Sequence, residues 1–332
     1  MAHKTLINGT AYGISGGKTR VNGTNYSIGK GKTLVGGTAY SISFGPAPEG
    51  STLNACSWAN ISAIAASGNA PNYWAVGDWK DVTMAGTIGT RTVNITRSVF
   101  ILGFNHNGAA NTIDFGTERG KGGGTYYSLI DDMAGTGKTD GTLRYNINHW
   151  GNTTYGGWKG CDLRYDVLGS TNVAPSGYGA KTASGRTGYD ATSTCATSPV
   201  ANTYMAALPS DLRAVMKPMT IYTDNTGGVS ANSSLESAVT ASIDYLPLLA
   251  EFEIFGVRSK ASRYEQNYQK QYAFYANGGQ KSKSASYNNS GWIYSYWTRS
   301  CNNTNPFVLV IEGVANTCAC NYSYGISPIF RV

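Results

Sequence analysis

Two neighbouring stretches, LNACSWANISAIAASG at residues 53–68 and YWAVGDWKDVTMAGTIGTRTVNITRSVFILGF at 73–104, indicate the fold class. The first stretch carries apolar residues that share one helical face: Leu53, Trp58, Ile61, Ile64 and Ala65. Gly68 ends this predicted helix. The second stretch alternates short apolar runs with turn residues, which predicts strands. Helices and short strands without regular alternation indicate an α+β domain.

The rest of the chain continues this mixture. Three further segments have helical character: TYYSLIDDM (125–133), NTYMAALPSDLRAVM (202–216) and YEQNYQKQYAFYANG (264–278). Three others are predicted as strands: SGWIYSYWTRS (290–300), FVLVI (307–311) and SPIFRV (327–332).

The first 45 residues contain a fourteen-residue repeat: KTLINGTAYGISGG, KTRVNGTNYSIGKG and KTLVGGTAYSISFG. Each unit has two short strands around an Asn-Gly or Gly-Gly turn, so three β-hairpins are predicted over residues 1–45. One hairpin alone is marginal in water, which favours an attachment or oligomerisation stalk. A flexible tether is the alternative, because Gly-rich strands specify their register weakly. Residues 46–51 form a linker, and 52–332 form the globular domain.

Composition and charge limit the classes of function. Only 14% of the 332 residues are charged, while 42 glycines and 23 tyrosines point to turn-rich β structure with a polar, tyrosine-rich surface. The net charge of +7 comes from dispersed basic residues, and no nucleic-acid-binding motif accompanies it. We therefore expect a solvated basic face and no nucleic-acid partner.

The start MAHKTLINGT lacks a basic segment followed by an apolar run, and no stretch of about eighteen apolar residues occurs. We expect neither Sec export nor membrane insertion, and synthesis in the cytoplasm. Six cysteines at positions 56, 161, 195, 301, 318 and 320 show no repeated CxxC pair. Free thiols are the expected state in a reducing compartment.

Several patterns resemble part of a catalytic or binding motif, but none of them is complete. DMAGTGKT (132–139) ends like a phosphate-binding loop, but Asp132 stands where the first glycine is needed, so we interpret it as a turn after a helix. Glu251 and Glu253 share one face of a predicted strand and suggest a glycoside hydrolase only if a cleft separates them suitably. His106 and His149 lie among asparagines, which favours polar loops. Cys318 and Cys320 lack enough soft partners for zinc. No catalytic residue, cofactor or metal site is predicted.

Longer motifs carry a family resemblance. NYWAVGDWK, VFILGFNHNG, YLPLLAEFEIFG, YEQNYQKQYAFYANGG, SGWIYSYWTRS and YSYGISPIFRV resemble an uncharacterised domain family common in structural genes of gut-bacterial phages, over about residues 51–332. WTRS followed by GISPIFRV further resembles the variable proteins of diversity-generating retroelements. That resemblance implies a C-type-lectin-like fold, a tail receptor-binding role and a C-terminal segment, about 292–332, that is rewritten at asparagine codons.

The genetic code supports the resemblance. Changes in the first two letters of AAC never give Lys, Gln, Met, Trp or Glu, and residues 301–332 contain none of the first four and one Glu, at 312. The resemblance implies a varied, receptor-binding face made by Tyr294, Tyr296, Cys301, Asn302, Asn303, Asn305, Ile311, Asn316, Thr317, Cys318, Cys320, Asn321, Tyr322, Tyr324, Ser327 and Ile329. It implies these scaffold residues: Trp292, Trp297, Arg299, Phe307, Leu309, Gly313, Gly325, Pro328 and Phe330.

Two residues depart from the pattern. Cys301 stands where proline often follows RS, and Glu312 is not reachable from an asparagine codon. The calcium-ligand triplets of sugar-binding C-type lectins are absent from the sequence, so calcium-dependent sugar binding is not implied.

The resemblance thus implies a non-enzymatic phage tail adhesin in the virion. Its expected partners are a host-surface protein or glycan, other tail proteins and further copies of the chain, which would form a trimer. A tail-associated glycan hydrolase and a purely structural virion subunit are the alternatives.

Overall fold

The computed structural model describes strands within residues 4–43, and backbone with side chains for 45–149, 151, 154, 156–171, 196–225, 235–285, 295–302 and 306–332. Each N-terminal repeat contributes one antiparallel strand pair. The pairs are β1 (Lys4–Ile7) with β2 (Thr10–Gly13), β3 (Gly17–Val21) with β4 (Thr24–Ile28), and β5 (Lys30–Val35) with β6 (Thr38–Ser43).

The remaining described residues form a mixed α/β structure made mostly of strands. Its strands are β7 (Trp79–Ile88), β8 (Arg91–Phe104), β9 (Ile113–Gly120), β10 (Tyr127–Ser128), β11 (Met219–Asp224), β12 (Val239–Asp244), β13 (Ser284–Ala285), β14 (Tyr296–Cys301), β15 (Pro306–Ile311), β16 (Val314–Ala319) and β17 (Ile329–Arg331). Its α-helices are α1 (Trp58–Ala66), α2 (Ala70–Tyr73), α3 (Gly157–Gly160), α4 (Tyr204–Ala207), α5 (Ser210–Arg213), α6 (Glu251–Phe255) and α7 (Ala273–Ala276).

Short tighter or wider helical turns complete the elements. The 3-10 turns are Leu53–Ala55, His106–Gly108, Glu236–Ala238 and Glu265–Tyr268, and a π-helix spans Leu163–Val167. In the part of the chain that the structure describes, no helix has the length and apolar character needed to cross a bilayer.

A four-stranded antiparallel sheet in the order β17-β9-β8-β7 organises the core. The central strand β8 is interrupted by register shifts between Ser98 and Phe100 and between Ile101 and Gly103, which curl the sheet. Helix α1 packs on it: Trp58 meets Phe115 of β9 and Phe330 of β17 edge to face, at 5.6 and 5.9 Å between ring centroids. The amphipathic helix predicted at 53–68 is confirmed over α1 alone, with the apolar face of α1 buried and Gly68 after it in the left-handed conformation. Leu53 is buried but lies in a separate 3-10 turn.

Three local predictions are wrong or incomplete. TYYSLIDDM is no helix: β10 pairs in parallel with β13, and Leu129 bridges to Ile326, because these apolar residues bury themselves by strand pairing. The segment 202–216 forms two short helices, α4 and α5, and Pro209 stands between them. The segment 264–278 likewise gives a 3-10 turn and α7.

The predicted strand at 248–256 is the helix α6. The Glu253 carboxylate accepts a hydrogen bond from the Ala250 N–H at 2.9 Å, which caps the first turn. Gly256 ends the helix with a φ of 69°. Period-two spacing of Glu251 and Glu253 was therefore misleading, because the capping interaction and the closing glycine define a single helical turn.

Candidate functional site

The C-terminal segment builds a second, three-stranded antiparallel sheet in the order β14-β15-β16. Its outer strand, β16, places Val314, Asn316 and Cys318 on one side, because alternate residues of a strand point the same way. Val314 is 60% exposed and Asn316 is exposed, whereas Cys318 is half-buried. An exposed edge of this sheet is thereby lined with an apolar, an amide and a thiol side chain.

The turn after β16 extends this surface with two tyrosines. The rings of Tyr322 and Tyr324 are nearly parallel, at 14° and 6.3 Å between centroids, and the Tyr324 hydroxyl lies 3.5 Å from the Cys318 Sγ. Tyr324 also packs edge to face on buried Trp297, at 5.3 Å. We call the surface formed by Val314, Asn316, Cys318, Asn321, Tyr322 and Tyr324 the C-terminal face.

Backbone hydrogen bonds from the loop 131–149 hold this turn in place. The Gly135 N–H donates to the Ser323 carbonyl at 2.7 Å, and the Lys138 N–H donates to the Asn321 carbonyl at 2.9 Å. A Cβ on Gly137 would lie only 3.0 Å from the Tyr322 ring, so glycine permits this close approach. The DMAGTGKT stretch therefore follows strand β10 rather than a helix, and it supports the C-terminal face.

Seven of the predicted scaffold residues are buried. Trp297, Arg299, Phe307, Leu309 and Phe330 are each at most 1% exposed. The Trp297 indole N–H donates to the Tyr145 carbonyl at 2.9 Å, which links β14 to the supporting loop. Gly325 and Pro328 are buried as well, and Gly313 forms the β15–β16 turn with a φ of 82°. Trp292 lies outside the described residues.

Arg299 is the most constrained of these scaffold residues. Its two terminal nitrogens donate to the Glu253 carboxylate at 2.5 and 2.7 Å, and Nη1 also donates to the Leu248 carbonyl at 2.6 Å. Glu251 is fully buried and accepts hydrogen bonds from the backbone of Ser259, Lys260 and Ala261. Both carboxylates thus stabilise the local structure through hydrogen bonds, Glu251 to three backbone N–H groups and Glu253 to Arg299.

The sixteen residues predicted for the receptor-binding face divide into three groups. Eight are exposed or half-buried: Asn302, Ile311, Asn316, Thr317, Cys318, Asn321, Tyr322 and Tyr324. Five are buried: Tyr296, Cys301, Cys320, Ser327 and Ile329. Tyr294, Asn303 and Asn305 lie outside the described residues. The buried five cannot offer their side chains to a partner in this conformation, because each is at most 4% exposed.

The cysteines behave differently according to burial. Cys56, Cys161, Cys301, Cys318 and Cys320 are free thiols. Burial raises the pKa of the Cys301 and Cys320 thiols, which keeps both protonated and apolar in character. The two cysteines of the stretch CAC (318–320) therefore have different environments: Cys318 lies on the C-terminal face and Cys320 in the core.

His106 does not lie in a simple polar loop. Its ring stacks on Tyr272 at 3.6 Å between centroids, and burial lowers its pKa, which keeps the imidazole neutral. With Arg299 and Arg331 it lines a cavity of about 20 Å³. That volume accommodates about one water molecule.

His149 is the residue that sequence reasoning missed most clearly. It is fully buried, and its Nδ1 lies 3.9 Å from an Asp162 carboxylate oxygen and 3.7 Å from one of Asp166. The His149 N–H also donates to Asp162 at 2.7 Å. The asparagines that precede His149 in sequence gave no sign of the two acids, one of which lies just before the π-helix and one within it. The four-residue spacing of the two aspartates was the only available signal.

Comparisons with known proteins place the chain in a family without supplying a function. Searches of curated proteins and of solved structures give no match. One family profile, described as a domain of unknown function, matches residues 139–332, more than half of the chain. That region includes the π-helix, α6 and the entire three-stranded sheet that carries the C-terminal face. The chain therefore belongs to the DUF6273 family, a domain family of unknown function.

Proposed function

We propose that this protein is a phage tail adhesin that binds a host-surface receptor through the C-terminal face. The observation that carries the proposal is a partial separation of buried and exposed side chains within one short segment, in which eight of the thirteen described candidates are exposed or half-buried and five are buried. The described scaffold side chains Trp297, Arg299, Phe307 and Phe330 are buried, whereas eight described candidates reach the surface on or near the outer strand. A surface of this kind can change in sequence while the residues that fold it stay constant.

The chemistry of the C-terminal face suits protein or glycan recognition. Val314 and Tyr322 are two large apolar side chains exposed beside Asn316 and Asn321. Tyrosine offers a large contact area with little loss of conformational entropy, and asparagine offers both donors and acceptors. Backbone hydrogen bonds hold the turn that carries Tyr322, so binding orders few additional groups.

The finer architecture is part of the same proposal. We assign the globular domain to the C-type-lectin-like fold, with which a mixed, mostly stranded structure and a curled antiparallel sheet are compatible. The N-terminal hairpins attach the domain to the virion and bring three copies together. Three linked sites would bind a cell surface more tightly than one by raising the effective concentration of each site.

Natural variation provides the first test. Sequences of this gene from several isolates are expected to differ at asparagine-type codons for Asn316, Asn321 and Tyr322, and to agree at Trp297 and Phe307. A neighbouring reverse transcriptase gene and a near-copy of the 3′ end are also expected. Differences spread evenly over buried and exposed positions would contradict diversification of this face.

Binding provides the second test. The full chain, labelled with a fluorophore, is measured by flow cytometry on a panel of gut-bacterial strains. Tyr322→Ala is expected to weaken binding to a recognised strain at least about tenfold, which corresponds to about 1.4 kcal/mol. Val314→Ala should also weaken binding. Val257→Ala is its matched control, since these valines are 60% and 64% exposed and Val257 lies outside the face.

The outcome separates the adhesin from the structural subunit. Failure of the chain to bind any strain, or equal losses for Val314→Ala and Val257→Ala, would favour a virion subunit whose C-terminal face is not a receptor site. The hydrolase alternative gains no specific support, because Glu251 and Glu253 are occupied by structural hydrogen bonds.

A further inference from the structure

A cluster of one histidine and two aspartates lies behind the C-terminal face. One ligand atom each from His149, Asp162 and Asp166 lie within 4.8 Å of one another. Asp162 immediately precedes the π-helix that contains Asp166, so the two carboxylates are one helical turn apart. His149 approaches from the supporting loop. Two separate segments thus bring three ligand-type side chains to one point.

The hydrogen bond on the far side of the ring fixes how His149 presents itself. Its Nε2 lies 3.1 Å from the Arg144 carbonyl oxygen, and a carbonyl can only accept, so Nε2 carries the proton. In the neutral imidazole, Nδ1 therefore presents its lone pair to two carboxylates. A backbone carbonyl that orients the second nitrogen in this way is the usual arrangement behind a metal-bound histidine.

We propose that His149 Nδ1, Asp162 and Asp166 bind one zinc-class divalent metal ion. A positive ion at this point would offset the two negative charges and accept the histidine lone pair. Ligands about 2.1 Å from a metal lie roughly 3.0 to 3.4 Å apart. The distances of 3.7 and 3.9 Å from Nδ1 therefore require a contraction of about half an ångström, and the two carboxylate oxygens, which lie within 4.8 Å of each other, require up to about 1.4 Å. One nitrogen and two carboxylate oxygens suit zinc better than calcium, which favours oxygen ligands.

The proposed ion would connect the supporting loop to the π-helix. The Gly141 N–H donates to the His149 carbonyl at 3.0 Å, and the Asn148 N–H donates to the Cys320 carbonyl at 3.1 Å. Fixing His149 would therefore stabilise the loop directly behind the C-terminal face. The site is structural in this proposal, and its existence does not depend on receptor binding.

The test uses the full, tag-free chain after chelator treatment, with Zn²⁺ alone as the probe. Calorimetric titration is expected to show one equivalent of tightly bound Zn²⁺ and a rise in the unfolding temperature. Asp166→Asn should weaken Zn²⁺ binding by more than the roughly 10- to 100-fold that loss of an outer partner costs. Asp162→Asn is a second ligand variant in case Asp166→Asn does not fold. Asp132→Asn is the matched control, since this aspartate is exposed and pairs with Arg144.

The contrary results are specific. Absence of stoichiometric Zn²⁺ binding by the folded chain overturns the proposal, and so does equal affinity in wild type, Asp166→Asn and Asp132→Asn. Nuclear magnetic resonance of the histidine rings adds an independent measurement. If His149 is doubly protonated and Zn²⁺ does not displace the Nδ1 proton, that proton alone balances the negative charges of the two aspartates, and the proposal fails.

Discussion

Strands β14 and β16 belong to the same three-stranded sheet, yet they differ completely in burial. All six residues of β14 are buried, whereas β16 has no fully buried residue and exposes Val314 to 60%. They are separated only by β15, which pairs with both. Both are edge strands of this sheet, so the contacts that each makes outside the sheet, rather than its position in the sheet, set its burial.

The attachments of β14 explain the difference. Arg299 bonds to Glu253 of α6, the Ser300 hydroxyl donates to Glu265 at 2.6 Å, and Trp297 bonds to the Tyr145 carbonyl. Each of these side chains is buried and makes at least one hydrogen bond to a fixed partner. The outer strand β16 pairs with β15, and its side chains reach solvent. The buried strand β14 is thus tied to the rest of the fold, whereas several side chains of β16 are exposed to solvent.

The largest predicted effect comes from breaking the contacts of the buried strand β14 at Arg299. Arg299→Ala leaves Glu253 charged, buried and without its bidentate partner, so we expect a loss of about 3–5 kcal/mol in the free energy of unfolding. Urea denaturation followed by tryptophan fluorescence measures it. Arg258→Ala is the matched control, because Arg258 is exposed and should cost less than about 1 kcal/mol. Similar losses for both variants would show that burial of β14 is not what fixes this part of the fold.

A smaller, pH-dependent effect is predicted at Glu265. Burial raises the pKa of its carboxyl to about 7, against about 4.5 in the unfolded chain. Between those values the folded protein keeps a proton that the unfolded chain releases, so stability falls as pH rises from about 4.5 to about 7. Glu265→Gln should remove this contribution, which amounts to at most about 3 kcal/mol.

Urea denaturation of wild type and Glu265→Gln at pH 5 and pH 7.5 tests whether the contribution of Glu265 to stability falls as pH rises. The stability of the variant relative to wild type is expected to be greater at pH 7.5 than at pH 5. A difference that is constant with pH would mean that Glu265 ionises normally in the fold. It would also weaken the view that the partners of β14 are fully desolvated.

The sequence predicted the secondary structure correctly where a local pattern and its tertiary environment favour the same element. Helix α1 combines a regular apolar face, a Ser57 hydroxyl that accepts the Asn60 N–H at 3.2 Å, and a closing glycine. The strands β14, β15 and β17 also follow their apolar runs. The face was predicted only in part, because a codon argument cannot distinguish exposed Asn316 from buried Cys301.

The rest depends on contacts between segments distant in sequence. Helix α6 replaced a predicted strand because Glu253 both caps its own helix and binds Arg299, 46 residues away. The segment around Leu129 is extended because it pairs with Ile326 near the C-terminus. No local periodicity of the sequence indicates that His149 lies beside Asp162 and Asp166. Such sites require the tertiary structure.

The smallest effect compares two cysteines that flank one residue. Cys301 of β14 and Cys318 of β16 are both paired with Phe307 of β15, so they lie on the same side of the sheet. Cys301→Ser buries a hydroxyl in place of a fully buried thiol, and we expect a loss of about 1–3 kcal/mol. Cys318 is half-buried beside the Tyr324 hydroxyl, so the free energy of unfolding of Cys318→Ser should stay within about 0.5 kcal/mol of wild type. Urea denaturation of the two variants under reducing conditions gives the difference directly. Equal losses of stability would mean that β16 is as much a part of the core as β14. The proposal that the C-terminal face tolerates sequence change would then be contradicted.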